Sequence, residues 1–360
     1  MKSLSLPRIR FQHHPNPSRT TQFIALLLSL LLALVTVAVL FFALGVDPLF
    51  AFMRIFKGGF GSVYGLTETI AKAIPLMLAG IGLTLAFRAR VYNIGAEGQL
   101  LIGAIAATGL ALAFPNLPRV ILLPAMFIGG FIGGALWGLI PAILKARFRV
   151  DEVLTSLMLV YVAVEAVNYL IYGPWKGPDE SGFPVTSKFS LSAQIPRLGI
   201  TRIHYPTLIV AVILAVLVYL LIERTRLGYE IRVTGENPAA ARFAGMNYNK
   251  VILLVMFLSG GLAGLAGVGE VAGIHFRLRY PGGISPGYGF TAIIVAWLAR
   301  LNPLAAIVTS ILLGGLLVGG DAIQIALMLP AATIHVFNGI ILFFVIGGDV
   351  LTRYQICLEA

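Results

Sequence analysis

The sequence is poor in charge and nearly devoid of cysteine. Of 360 residues only 11% are Asp, Glu, Lys or Arg, while 58% are hydrophobic. An ordinary soluble domain carries roughly 25% charged residues, so lipid rather than water is the natural solvent of this chain. The single cysteine, Cys357, excludes an internal disulfide and leaves a thiolate metal site without ligands. No metal site is expected. Missing too is any Pro/Ser-rich linker or charge run that would divide the chain, which favours one membrane domain. No Gly-x-x-x-x-Gly-Lys-Ser/Thr loop occurs, so a nucleotide triphosphate has no phosphate cradle here. Neither a His-Glu-x-x-His zinc motif nor a paired-carboxylate cluster is present, and an intramembrane enzyme is the weakest of the functional classes.

What is present is a series of apolar runs. A membrane-spanning helix needs roughly 20 mostly apolar residues, and runs fall near 23–44, 69–87, 97–114, 119–144, 152–172, 206–222, 251–272, 288–299, 303–320 and 333–350. About ten crossings are therefore expected, in an all-α polytopic fold. The first run is too long for a signal peptide and lacks a small-residue cleavage site, so it reads as an uncleaved anchor. The eighth is too short to span unaided and follows the Gly/Pro-rich stretch 280–289, which predicts a half-helix or a broken one. The net charge of +11 sits in short segments between runs, without a basic helix or aromatic-interleaved patch, so nucleic acid is not an expected partner. The loops holding Lys145, Arg147, Arg149, Arg224 and Arg226 read instead as topology signals facing anionic lipid and cytoplasm. The resulting organisation is a cytoplasmic segment 1–22, a transmembrane body 23–350 and a cytoplasmic tail 351–360, with an inner loop 223–250 and an outer loop 174–205. The outer loop is long enough to dock an external partner or to cap the outer mouth.

Within the inner loop, Asn237 is a good N-cap, Pro238 suits the first helical position and Gly245 the left-handed C′ position. The pattern predicts a helix of about two turns around Glu236, Asn237, Pro238, Ala239, Ala240, Arg242, Phe243 and Gly245. So short a helix is marginal in water and needs a surface to lie on. Ala239, Ala240, Phe243 and Ala244 form a flat face with one aromatic knob, which fits a groove in another protein or the chain's own inner loops.

Polar residues inside apolar runs are costly and usually face a cavity or a polar partner. Tyr161, Glu165, Asn168 and Tyr172 recur at helical spacing and share one face. They could line a path for a hydroxyl-rich, aromatic-compatible solute or join two helices. Asn93, Glu97 and Gln99 lie where the second and third runs meet, beside Arg88 and Arg90, where a Glu97–Arg pair or a ligand contact would suit. Glu270 and His275 close the seventh run and could shape an outer gate. The Gly-rich stretches 129–138 and 259–267 offer small faces for close helix packing.

Four segments in order carry a resemblance: Val91-Tyr-Asn-Ile-Gly-Ala-Glu-Gly-Gln99, Asp151-Glu-Val-Leu-Thr-Ser-Leu-Met-Leu159, Gly235-Glu-Asn-Pro-Ala-Ala-Ala-Arg-Phe-Ala-Gly-Met246, and Gly287-Tyr-Gly-Phe290 through Ala299-Arg-Leu-Asn-Pro303. Together they resemble the permease subunits of bacterial ABC importers for simple sugars and nucleosides. That resemblance implies a type II-like fold and a complex of two permeases and two ATPases, fed by an extracytoplasmic substrate-binding lipoprotein. It makes the 236–246 helix the coupling helix in the ATPase groove, and Tyr288 and Phe290 candidates for the pathway. ATP and Mg would be bound by the partner, and this chain would bind no cofactor. The Asn-Ile-Gly-Ala-Glu-Gly-Gln form is similar to the nucleoside branch, in which a longer permease, like this one, pairs with a different, shorter chain. Val160 and Thr291-Ala292 depart from the family pattern, where Asn and Asp-Gly are usual. Branched-chain amino-acid permeases share related architecture, and a proton-coupled secondary transporter using Glu165 is the alternative outside the family.

Overall fold

The computed structural model describes residues 8–13, 19–178, 182–328 and 332–359. Lys2, Asp179 and Glu180 lie outside them, as does the side chain of Cys357. The chain divides into two compact units, one of residues up to Arg54 together with those from Ile323 onward, the other Ile55–Ala322.

The helices run in the order α1 (Arg19–Ala43), α2 (Pro48–Phe60), α3 (Val63–Arg88), α4 (Ala96–Ala113), α5 (Arg119–Phe148), α6 (Glu152–Tyr172), α7 (Tyr205–Arg224), α8 (Arg226–Glu236), α9 (Pro238–Phe243), α10 (Tyr248–Val268), α11 (Pro281–Ile284), α12 (Tyr288–Leu298), α13 (Pro303–Leu327) and α14 (Ala332–Arg353). In the first unit α1 packs on α14, with Phe41 edge-on to both Phe337 and Phe52. Strands β1 (Arg8–His13) and β2 (Tyr354–Glu359) pair antiparallel, Arg8 opposite Glu359.

Among the described residues seven helices are long and apolar enough to cross a membrane, or eight if α1 and α2, bent by 114° to each other, count as one span. The ten apolar runs do not therefore become ten full-length helices. The run at 288–299 is α12, whose 11 residues reach about 16 Å, against the ~30 Å of a hydrocarbon core. Helix α2 answers to no run in the sequence, because Arg54, Lys57 and the Gly58-Gly59 pair dilute its apolar signal. Its glycines are used for packing: a Cβ on Gly59 would stand 2.5 Å from the Gly315 carbonyl of α13.

In the second unit α10 and α3 form the core, and α4, α5 and α12 pack around them. Burial ranks them: 89% of the α3 span and 78% of the α10 span lie inside the protein, against 28% for each of α5, α6 and α7. Lipid tails are as apolar as leucine, so backbones associate through close contact at small residues. A Cβ on Gly103 of α4 would lie 2.4 Å from Gly264 of α10, and one on Gly134 of α5 would lie 2.3 Å from the Gly260 carbonyl. The Gly-rich stretches are thus the seams of the core.

Candidate translocation site

After α3 the chain turns at Arg90, whose φ is +54°, and runs back without helical structure through residues 91–95. Gly95 stands against Ser156 and Gly98 against Val160 of α6. Those residues lie about 7 to 13 Å along α6 from its Asp151 cap, so α4 starts inside the body rather than at its rim. Unwound backbone at that depth has to be satisfied by protein, and Asn93 does so. Its Oδ1 accepts from the Gly95 N–H at 3.1 Å and from Gln99 Nε2 at 2.9 Å, and its Nδ2 donates to Gln99 Oε1 at 2.8 Å and to Ser259 Oγ at 3.0 Å. All three side chains are buried. Both donors and both lone pairs of Asn93 are engaged, which makes the Asn93–Gln99 pair the lock of the α3–α4 junction and leaves Asn93 no free valence for a solute.

Glu97, next in this segment, is also buried. Its Oε2 accepts from the Gly289 N–H of α12 at 2.7 Å, and Ser285 Oγ and the Gly287 N–H face the same carboxylate. Among the described residues no arginine pairs with it: Arg88 instead meets Glu223 at 3.2 Å. The expected Glu97–Arg pair is therefore replaced by a carboxylate set between two helix N-termini, that of α4, where Glu97 occupies the first turn, and that of α12. Helix N-termini favour negative charge through their unpaired N–H groups and dipole. Discontinuous helices meeting N-terminus first are the arrangement in which transporters place their sites. Gly289 has to be glycine for this approach, since a Cβ there would lie 2.2 Å from the Glu97 nitrogen. Gly283-Ile-Ser-Pro-Gly287 also spells the Gly-x-Ser-x-Gly of hydrolase elbows. Ser285 is buried, accepts from the Tyr288 N–H at 3.0 Å and follows no strand, so it serves as a cap rather than as a nucleophile. Tyr288 is buried and Phe290 is exposed on the same short helix.

Toward the opposite end from α9, charges gather around the Glu270–His275 pair that the sequence had already singled out. Glu68 of α3 meets Arg202 at 3.0 Å, Lys72 pairs with Asp321 of α13, and Glu270 lies 3.6 Å from His275 within a widened π turn, Gly269–His275, that ends α10. Intramembrane charges need partners, and that rule applied to Lys72 and Asp321 is the signal that finds them. The 182–203 part of the loop between α6 and α7 is fastened along this turn. The Phe189 and Ile195 N–H groups donate to Phe276 and Ala272 carbonyls, and Arg197 donates to the Gly273 and Ile274 carbonyls at 2.7 Å each while lying over the Phe276 ring. His204 is buried against Gly269 and Gly273, and among the described residues neither ring nitrogen has a hydrogen-bond partner. Burial, with Arg197 and Arg202 nearby, lowers its pKa from 6.5 to about 4.

The α6 stripe points away from the body. Helix α6 buries Val160, Ala163, Val167 and Ile171 and exposes Tyr161, Glu165, Tyr169 and Tyr172. Asn168 Nδ2 donates to Glu165 Oε2 at 3.3 Å. Among the described residues the stripe is bonded to no second helix.

At the other end α8 is held to the body by Glu223, which pairs with Arg88 and with Arg232 at 3.0 Å, and by Gly235 packed on the Arg88 carbonyl. Glu236 closes α8 rather than opening the next helix. Helix α9 is six residues, shorter than two turns. Asn237 Oδ1 accepts from the Ala239 and Ala240 N–H groups at 3.1 and 3.0 Å. Gly245, with φ +74°, and Met246 return N–H groups to the Arg242 and Ala241 carbonyls, a full Schellman closure. Ala241 alone in α9 is buried, and Phe243 is 95% exposed. The helix thus touches the chain's own inner elements through Ala241, while the Phe243 knob is left uncovered by them.

Residues 65–346 match the family described as branched-chain amino acid transport system / permease component. Similar proteins include the glucose ABC transporter permease protein TsgB13 of Haloferax volcanii, 39% identical over 91% of this chain and 88% of that protein. The guanosine ABC transporter permease protein NupP of Bacillus subtilis is 33% identical over 91% and 94%. The nucleoside ABC transporter permease protein NupB of Lactococcus lactis is 27% identical over 91% and 92%. An all-helical membrane body without a phosphate loop, with such relatives along nearly its whole length, defines a class: the permease subunit of an ABC transporter, a conduit and not an enzyme. The chain belongs to the permease-component family that residues 65–346 match. Membership places it in the inner membrane as a multi-pass subunit and implies an ATPase partner, which hydrolyses the ATP, and a substrate-binding protein.

Proposed function

We propose that this permease moves nucleosides, or related simple sugars, into the cytoplasm. It forms half of the pathway and pairs with a second, different and shorter permease. Relatives named for guanosine, nucleosides and glucose support that solute class. The observation that carries the reading is the α6 stripe. A mid-span carboxylate facing lipid costs about 2.5–3.5 kcal/mol on insertion scales, yet Glu165 is exposed between Tyr161 and Tyr172 while the apolar side of α6 is turned inward. A second permease facing α6 across a wet cavity removes that cost. Carboxylate and amide then meet sugar hydroxyls, and tyrosine rings meet a base.

In this reading Glu236–Gly245 is the coupling segment, with Asn237, Pro238, Ala239, Ala240, Arg242 and Phe243 in the ATPase groove. Both termini and the 223–250 loop are cytoplasmic, and the 174–205 loop faces the binding lipoprotein. Tyr288 and Phe290 lie beside the pathway, and Glu97 and Gln99 hold its wall. The chain binds no cofactor of its own, ATP and Mg being held by the ATPase.

The test is uptake by the assembled importer in cells lacking their own nucleoside uptake. Labelled guanosine and glucose are compared, and Glu165→Gln is assayed at matched membrane levels. Accumulation of one of the two solutes, lowered about tenfold or more by Glu165→Gln, is the expected result; tenfold is the loss of one modest polar interaction. Accumulation of a branched-chain amino acid with neither of these solutes taken up contradicts the proposal.

A further inference from the structure

Helices α5 and α10 run antiparallel, so the last turn of α5 and the first turn of α10 meet at the end that bears α9. Between them lies an open groove of about 730 Å³. Its wall is apolar, formed by Leu139 and Ile143 of α5 and Leu253 and Phe257 of α10, and its mouth carries Arg147 and Lys250. From Leu139 to Arg147 the wall extends about 12 Å along the helix. One leaflet of hydrocarbon is about 15 Å deep, half of the ~30 Å core. The groove thus has cations at headgroup level and an apolar wall at acyl-chain level.

The two cations have no internal explanation. Lys145, two residues before Arg147, is paired with Glu152, but neither Arg147 nor Lys250 has a carboxylate partner among the described residues. Helices α5 and α10 contain no acidic residue at all. Lys250 also occupies the first turn of α10, three residues after the Asn247 cap, where the helix dipole disfavours a cation and favours an anion.

We propose that the groove binds an anionic phospholipid, with its phosphate between Arg147 and Lys250 and one acyl chain on the Leu139–Phe257 wall. Basic pockets between membrane helices at a cytoplasmic face recognise such headgroups. A hollow of about 540 Å³, lined by Arg149 and Arg242 among others, adjoins the groove and reaches the C-terminal end of α9. A headgroup seated there braces the α9 loop, so the lipid supports the movement that this loop transmits.

The test uses the purified full importer complex. Bound phospholipid is read by native mass spectrometry, and ATPase activity is compared in nanodiscs of phosphatidylcholine alone and of phosphatidylcholine mixed with phosphatidylglycerol. The wild type is expected to retain phosphatidylglycerol and to be stimulated by it. Arg147→Gln/Lys250→Gln is expected to bind it about thirty-fold more weakly, two near-surface cations being lost, and to lose the stimulation. Leu253→Trp fills the groove and keeps both cations, and it too is expected to lose the lipid. Retention of phosphatidylglycerol by the double variant overturns the proposal. So does full protection of the site by inorganic phosphate alone, or a photo-cross-link from position 253 to the ATPase or the second permease instead of to lipid.

Discussion

Asn93, Glu97 and His204 are all buried and polar, yet they are held in three different ways. Asn93 is saturated by Gln99, Ser259 and the Gly95 N–H, so it rigidifies the junction where α4 begins. Glu97 takes its donors from the α12 N-terminus. His204 has no hydrogen-bond partner among the described residues, and that makes it a source of acid sensitivity. Its folded pKa, lowered to about 4, lies below its ordinary 6.5. Between these values the unfolded chain binds the proton and the folded chain does not, so stability is present above about pH 6.5 and is lost as pH falls through about 4. The full effect is about 3 kcal/mol. Thermal unfolding of the detergent-solubilised protein across that range is expected to show the loss, and His204→Gln to flatten it. An identical slope in the variant would remove His204 as the cause. None of this could be read from the sequence, because Glu97 finds its partner 192 positions away and His204 is enclosed by residues of another helix.

Capping is the chemistry of neighbours, and so α9 was legible where the long-range contacts were not. Asn237, Pro238 and Gly245 mark a start and a stop that the structure places within one residue of the expected positions, although Glu236 falls in α8 and the helix is slightly under two turns. The same local signals exposed α12, since a Gly/Pro-rich entry and 11 apolar residues cannot span. Helix α2 stayed hidden because its packing partner is a glycine of α13 some 250 positions on. The C-terminal closure of α9 offers a discriminating test. Gly245 has φ +74°, so Gly245→Val adds about 1–2 kcal/mol of backbone strain, while Gly245→Asn is tolerated in this conformation. Copurification of the ATPase is expected to fall severalfold or more in the valine variant and to survive in the asparagine variant. Equal loss in both would mean that the loop's shape is not what the partner reads.

At the scale of the whole molecule, the second unit places a glycine-seamed core between two unfinished surfaces. One is the exposed α6 face, with its tyrosines and Glu165, and the other is α9, anchored through α8 and the buried Ala241 with Phe243 left exposed. Under the proposed function these are the two surfaces that a second permease and the ATPase cover. Its apolar runs show a membrane protein, but the crossing number does not follow from hydropathy alone, because α12 is half a span and α1 and α2 are bent by 114°. The most direct measurement of the central claim is site-directed cross-linking from position 243. Phe243→Cys, in a Cys357→Ser background, is treated with a short thiol-to-amine cross-linker in the membrane of cells expressing the whole importer. A product joining the permease to its ATPase, lost when the ATPase is omitted, is the expected result. Cross-links confined to this chain, unchanged by the presence of the ATPase, would contradict it.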